Sequence, residues 1–305
     1  MTVNSIGGVW SAAPTPFTDN WEVDTESVKR MVEHHLRLGV SGLFLGGTCG
    51  EGPLLPDRAR RLLVQAVVEQ ARGRLAVAVQ VTDNSTLRIL DNMEAARQDG
   101  ADMAIIAPPY FMSNVNPETL RNLYIQAIRQ SPLPVGVYDR GNYSSLLIPE
   151  SVLAAAYAEQ NVVLVKDSSG QPSRRQVALA ARAARPELRL LDGDEFRCVE
   201  YLQAGYDGLL LGGGIFNGFL AGKIISAVAA GDIASAEQFQ DRMNRMMWDV
   251  YGGKTIGCWL SGLKKLLVEM GIFATWKNIP AYPLTDECSQ AIERVLIADR
   301  DVLFP

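Results

Sequence analysis

The chain predicts a (β/α)8 barrel, an α/β TIM barrel with a C-terminal helical extension. Three observations predict it: short aliphatic runs recur about every 30 residues, each is followed by an amphipathic stretch, and eight such pairs fit within 305 residues. A doubly wound sheet shares the alternation, but no G-x-G-x-x-G follows the first run.

The first strand is "GVWSAA" from Gly8, and its helix is "DTESVKRMVEHHLRLG". Val28, Met31, Val32, His35 and Leu36 share one face of that helix, Asp24 or Thr25 is its N-cap and Gly39 its stop. On that wheel His35 faces the core and His34 faces water. "GLFL" from Gly42, "LAVAVQV" from Leu75 and "MAIIA" from Met103 follow as strands two to four. Asn116 and Pro117 open the fourth helix, "PVGVY" from Pro134 is the fifth strand, and Pro149 sits at the first turn of the fifth helix. "VVLVK" from Val162, "LRLLDG" from Leu188 and "DGLLLG" from Asp207 complete the set. Residues 1–230 then make the barrel, and 231–305 continue as helices through "DIASAEQFQDRMNRMMWDVYG", "CWLSGLKKLLVEMG" and "DECSQAIERVLIADRD".

Composition removes several function classes. A formal charge of −5 supplies no basic excess to displace phosphate counterions, so nucleic acid is an unsuitable partner. No apolar stretch is long enough to span a membrane and the N-terminus lacks a leader pattern, so a soluble cytoplasmic protein with a small-molecule substrate is expected. Cys49, Cys198, Cys258 and Cys288 are scattered without a C-x-x-C pair, which argues against a disulfide framework and a metal site. The only histidines, His34 and His35, are adjacent, so neither a Ser-His-Asp triad nor an H-E-x-x-H zinc site can be assembled.

In such barrels the reactive groups lie at the C-terminal ends of the strands. The lysine of "NVVLVKDSSG", Lys166, ends a strand that is otherwise apolar, and the other six lysines fall on predicted helices, flanks or loops, so Lys166 alone is expected inside. Lys166 is therefore either paired, with Asp194, Glu51 or another rim carboxylate, or reactive. Burial among aliphatic walls lowers a lysine's pKa and frees a neutral amine to attack a keto group. Tyr138, at the end of the preceding strand, stands about 4.8 Å away and can shuttle the protons of the carbinolamine.

Around that pair the other rim residues have two readings each. "GGTCGEG" (Gly46 to Gly52) is a tight turn, or a turn whose amides after Thr48 open to a carboxylate, with Glu51 accepting hydrogen bonds from its own loop. "DGDE" (Asp192 to Glu195), after the seventh strand, faces the same cavity. The glycines of "LLLGGG", with Gly213 and Ile215 beside the cavity, clear room for a substrate; no basic residue lies close enough for a phosphate site. Cys49 has no histidine to activate it.

Together "GGTCGEG", "YDR" and "VKDSSG" resemble three motifs of the dihydrodipicolinate synthase and N-acetylneuraminate lyase family: the G-T-T-G-E or G-S-T-G-E loop, the strand-five tyrosine, and the lysine of K-[DEQ]-x-[ST]-G. The likeness covers nearly the whole chain. It implies that Lys166 forms a Schiff base with a pyruvate-type 2-keto acid, that Tyr138 and Thr48 relay protons, that the amides of Thr48 and Cys49 hold the carboxylate, and that Gly47 and Tyr110 border the substrate. It also implies that Asp194 and Glu195 accept bonds from substrate hydroxyls, unless Asp194 caps the seventh helix instead, with Ser168 and Ser169 lining the same pocket. It implies no metal or organic cofactor, and a homo-oligomer, commonly a tetramer.

The departures bear on substrate. Cys49 replaces the loop's second threonine, Phe111 stands where synthases place a tyrosine reaching the neighbouring subunit, and Tyr143 stands where they place an arginine for the second substrate. Arg140, in "YDRGN", is instead similar to the Y-x-R-x-N segment of keto-deoxy sugar acid dehydratases in the family. The expected function is a lyase that cleaves or dehydrates a 2-keto-3-deoxy sugar acid. The alternatives are 4-hydroxy-tetrahydrodipicolinate synthase and, in another class, a non-catalytic keto-acid-binding barrel.

Overall fold

A computed structural model describes residues 6–305. Eight parallel strands close into a barrel in chain order: β1 (Gly8–Ala12), β2 (Gly42–Leu45), β3 (Ala76–Gln80), β4 (Met103–Ile106), β5 (Val135–Asp139), β6 (Val162–Asp167), β7 (Arg189–Asp192) and β8 (Gly208–Leu211), with β8 pairing back to β1. The fold class is the expected (β/α)8 barrel. Side chains on these strands are buried almost without exception, because alternate residues meet the barrel interior and the helical ring.

The ring comprises α1 (Thr25–Arg37), α2 (Asp57–Ala71), α3 (Thr86–Gln98), α4 (Pro117–Gln130), α5 (Glu150–Tyr157), α6 (Pro172–Ala184), α7 (Cys198–Gln203) and α8 (Gly214–Ala229). Local chemistry sets the ends of several. Asp24 accepts from the amides of Glu26 and Ser27, each at 3.1 Å, and Asn116 forms a capping box with Thr119 ahead of Pro117. One expectation fails here: His34 does not face water. It is buried with His35, engaging the Ile215 carbonyl through Nε2 at 2.9 Å and packing edge-on to Phe304, because α8 and the chain end cover that side of α1. Burial holds both imidazoles neutral, lowering His34 to about 4 and His35 to about 3.

The extension adds α9 (Ile233–Tyr251), α10 (Trp259–Glu269), α11 (Asp286–Ala298) and the short α12 (Arg300–Leu303). Its apolar faces join the barrel's outer core through Met243, Met246, Met247, Leu263 and Leu267. No helix among the described residues is long and apolar enough to cross a membrane.

A register irregularity positions the chemistry. Val135 pairs with Val162, but Gly136 pairs with Leu164, so Val163 is an extra residue on β6. Downstream of this bulge Tyr138 stands opposite Lys166. Without the extra residue Tyr138 would face Val165, and a one-residue slip turns each side chain to the other face of a strand.

Candidate active site

Three consecutive strands end alike. Asp139, Asp167 and Asp192 close β5, β6 and β7 in mutual register, and each accepts a hydrogen bond from the amide two residues on: Gly141 at 3.0 Å, Ser169 at 2.9 Å and Asp194 at 2.7 Å. Each such turn reverses the chain and presents its middle residue, Arg140, Ser168 or Gly193, to one cavity. The aspartates face the helices: Asp139 makes a buried two-pronged pair with Arg174, and Asp167 accepts from the Tyr206 hydroxyl at 2.8 Å. The second oxygen of Asp192 closes no well-formed hydrogen bond among the described residues, with the Cys198 thiol beside the carboxylate, and burial raises its carboxyl well above the usual range. Sequence reasoning missed this device, although the recurrence of Asp after Tyr138, Lys166 and Leu191 was its signal.

The cavity has a volume of about 290 Å³. Lys166 lies in its wall, 4 % exposed, with Nζ 4.3 Å from the Tyr138 ring centroid and 5.2 Å from that of Phe44. No ion pair involves it among the described residues, and the carboxylates that could have claimed it are committed elsewhere. Glu51 binds Lys264, and Asp194 binds Arg197 at 2.6 Å. Two expectations are corrected here. Lys166 is not the sole lysine inside, since Lys264 on α10 is fully buried. Glu51 accepts from Lys264 and from the Ile279 amide at 2.6 Å, not from its own loop, because the extension folds over that turn.

Burial pushes the Tyr138 phenol up, but the nearby Lys166 and Arg140 charges, with hydrogen bonding from Thr48 and the proximity of Ser168, bring it below its ordinary value. Ser168 Oγ is buried beside the Tyr138 phenol and closes no well-formed hydrogen bond of its own. Thr48 and Cys49 line the cavity too, and their amides donate to no protein acceptor among the described residues. The turn that carries them needs Gly52, where a Cβ would stand 1.8 Å from the Gly46 carbonyl oxygen. Burial first, then the Glu195 carboxylate, raise the Cys49 thiol to about 12, which rules out a thiolate nucleophile.

Arg140 reaches the cavity without a hydrogen bond or ion pair among the described residues. Asp194 and Glu195 also line it, each with partners. The Asp194 carboxylate holds Arg197 and does not cap α7, whose N-terminus has no side-chain cap. Glu195 accepts from the Gly213 amide at 2.6 Å and the Tyr251 hydroxyl at 3.0 Å, and burial raises its carboxyl despite both bonds.

Four expected substrate contacts lie outside the cavity wall. Gly47 packs against Phe44, Gly213 serves Glu195, and Ile215 is buried in α8 beneath His34. Tyr110 hydrogen-bonds Gln80 Nε2 at 2.7 Å on the far side of the rim, with Phe111 70 % exposed beside it. In their place stand Gly193, Phe196, Gly212 and Tyr143, and, from the extension, Ile256 and Trp259. Gly193 is spatially required: a Cβ there would lie 2.1 Å from Ser168 Oγ and 2.7 Å from Lys166 Cε. Ile256 holds φ of +55°, a strained setting for a β-branched residue.

Residues 5–299 match the dihydrodipicolinate synthetase family. The chain is 28% identical over 293 residues to the 4-hydroxy-tetrahydrodipicolinate synthase of Rhodopseudomonas palustris, covering 95% of each. It is 33% identical to that of Thermotoga neapolitana over 67% of this chain and 69% of the relative. Dihydrodipicolinate synthase from Bacteroides thetaiotaomicron superposes with a TM-score of 0.87 at 25% identity, over 96% of this chain and 98% of that one. The chain belongs to the dihydrodipicolinate synthetase family and is an enzyme, a lyase of the class I aldolase type.

Proposed function

We propose that within this family the chain acts on a 2-keto-3-deoxy sugar acid through an imine at Lys166, cleaving it to pyruvate or removing water from it. The observation that carries this reading is an amine inside a cavity, beside a phenol, with no ion pair to hold it among the described residues. Lys166 Nζ adds to the C2 carbonyl; the carbinolamine loses water as Tyr138 passes a proton to the departing oxygen. The resulting iminium accepts the electron pair of whichever bond then breaks. In cleavage this is C3–C4, with the C4 hydroxyl proton leaving to a base. In dehydration a base takes a C3 proton first, and the enamine expels the C4 hydroxyl, which leaves as water with the proton that the base returns.

The free amides of Thr48 and Cys49 suit the C1 carboxylate, the unpartnered Arg140 guanidinium suits polar groups of the tail, and Ser168 Oγ suits a hydroxyl. The cavity, at about 290 Å³, leaves room beyond three carbons. A second reading, 4-hydroxy-tetrahydrodipicolinate synthase, is favoured by the relatives' names. Against it stand Tyr143, 73 % exposed in place of an arginine, and Phe111, which has no proton to relay.

Borohydride added with pyruvate should leave a reduced pyruvyl adduct on Lys166 that disappears in Lys166→Ala. Pyruvate release from a keto-deoxy sugar acid, or its loss of water with the carbon skeleton intact, supports the first reading. Condensation with aspartate semialdehyde and inertness toward every sugar acid would replace it with the second.

A further inference from the structure

The turn that offers its amides to the cavity is held from outside the barrel. Glu51 adopts φ of +57°, the left-handed region, at the point where the chain leaves that turn. Both of its oxygens are occupied by the extension: one by the Lys264 ammonium, the other by the Ile279 amide. Lys264 Nζ also donates to the Lys277 carbonyl at 2.8 Å and lies 4.5 Å from the Phe17 ring centroid. On the barrel side, Thr15 Oγ1 donates to the Gly50 carbonyl at 2.6 Å. The ion pair is fully buried at both ends, so water cannot replace either partner. A pair buried so deeply serves stability poorly compared with apolar residues of the same volume, while it fixes geometry closely. The residues whose geometry it fixes, Thr48 and Cys49, are those lining the cavity. The loop and helix that lead to Lys264 also contribute Ile256 and Trp259 to the same cavity.

We propose that Glu51 and Lys264 are a positioning pair for the keto-acid carboxylate: the segment from α10 to Ile279 holds the 46–52 turn so that its free amides meet the substrate. Neither side chain touches substrate. The inference rests on the imine reading above, and it assigns the C-terminal extension a part in ligand binding. A misplacement of about 1 Å in groups that orient a substrate costs up to about 10²-fold, so loosening this turn weakens ligand capture while leaving the amine itself intact.

The test is borohydride trapping over a range of pyruvate concentrations, which separates half-saturation from the limiting yield of adduct. Glu51→Gln should raise the half-saturating pyruvate about tenfold or more with the limiting yield unchanged, and Glu51→Gln with Lys264→Met, which restores stability without restoring the pair, should leave it raised. Ile279→Pro removes one donor to Glu51 and leaves the ion pair in place, so it serves if the first variant does not fold; a smaller rise in the same direction is expected. In the unaltered chain, pyruvate should slow amide exchange both at 48–51 and at 277–279. A lowered melting temperature with unaltered half-saturation, or protection confined to the turn, would show the pair to be structural only and overturn the inference. Absence of any adduct in the unaltered chain would overturn the imine reading itself, and this inference with it.

Discussion

Two lysines are buried among the described residues, and their surroundings differ in kind. Lys264 is enclosed by Glu51, a backbone carbonyl and the ring of Phe17. Burial first, opposed by the Glu51 carboxylate, brings its ammonium down to about 8. Lys166 has aromatic rings on two sides, no ion pair among the described residues although the Glu195 carboxylate lines the same cavity, and open volume in front. Burial alone therefore does not mark a reactive lysine. The discriminating features are the missing counter-ion and the open volume, and both depend on the neighbouring acids having been taken up by other partners.

The largest effect should come from removing the uncommitted amine. Lys166→Ala should lower turnover of the natural substrate by at least about 10³-fold and leave the melting temperature near that of the parent, as measured by steady-state assay and calorimetry. A variant equally active, or one that unfolds, would break the distinction between the two sites. The opposite profile is expected of the committed lysine. Lys264→Met strands the Glu51 carboxylate in the interior and should cost about 3–5 kcal/mol of stability in urea unfolding, whereas adding Glu51→Gln should return a large part of it.

A smaller effect sharpens the point with an acid that lacks any counter-ion. Asp192 is buried with its carboxyl raised and one oxygen without a well-formed hydrogen bond among the described residues. A group whose folded pKa lies above its unfolded value contributes stability at low pH that is lost as pH climbs toward the folded pKa. Asp192→Asn keeps an acceptor for the Asp194 amide and removes the titration. Its unfolding free energy relative to the parent should rise steadily from about pH 4 toward neutrality, reaching a gain of about 1–3 kcal/mol. A constant difference across that range would mean that the carboxyl ionises in the folded protein at no cost.

The barrel was legible because its strands are apolar on both faces, so eight aliphatic runs stand out against the amphipathic stretches between them. The Tyr138–Lys166 juxtaposition was legible as two residues ending consecutive strands, although the bulge at Val163 that aligns them leaves no trace in composition. Lys264 was readable in principle: it lies four residues after Leu260 and three before Leu267, on the apolar stripe of α10, where a charge must find a partner. His34 was not, since it lies off the stripe of α1 and is covered by α8 and Phe304 from far along the chain. The same remoteness concealed Ile256 and Trp259, while Tyr110 and Ile215, near strand ends in sequence, are turned away from the cavity by contacts of their own.

The aspartates that end β5, β6 and β7 secure each turn through the backbone and leave the identity of the middle residue unconstrained by the turn itself. The barrel thus carries three adjacent exchangeable sockets above its amine, a layout suited to acquiring new substrates without disturbing the scaffold. The sockets are not equally adaptable. At 140 a side chain can be exchanged alone, whereas any enlargement at 193 collides with Ser168 and with the lysine stem, so diversification there must begin by shrinking 168.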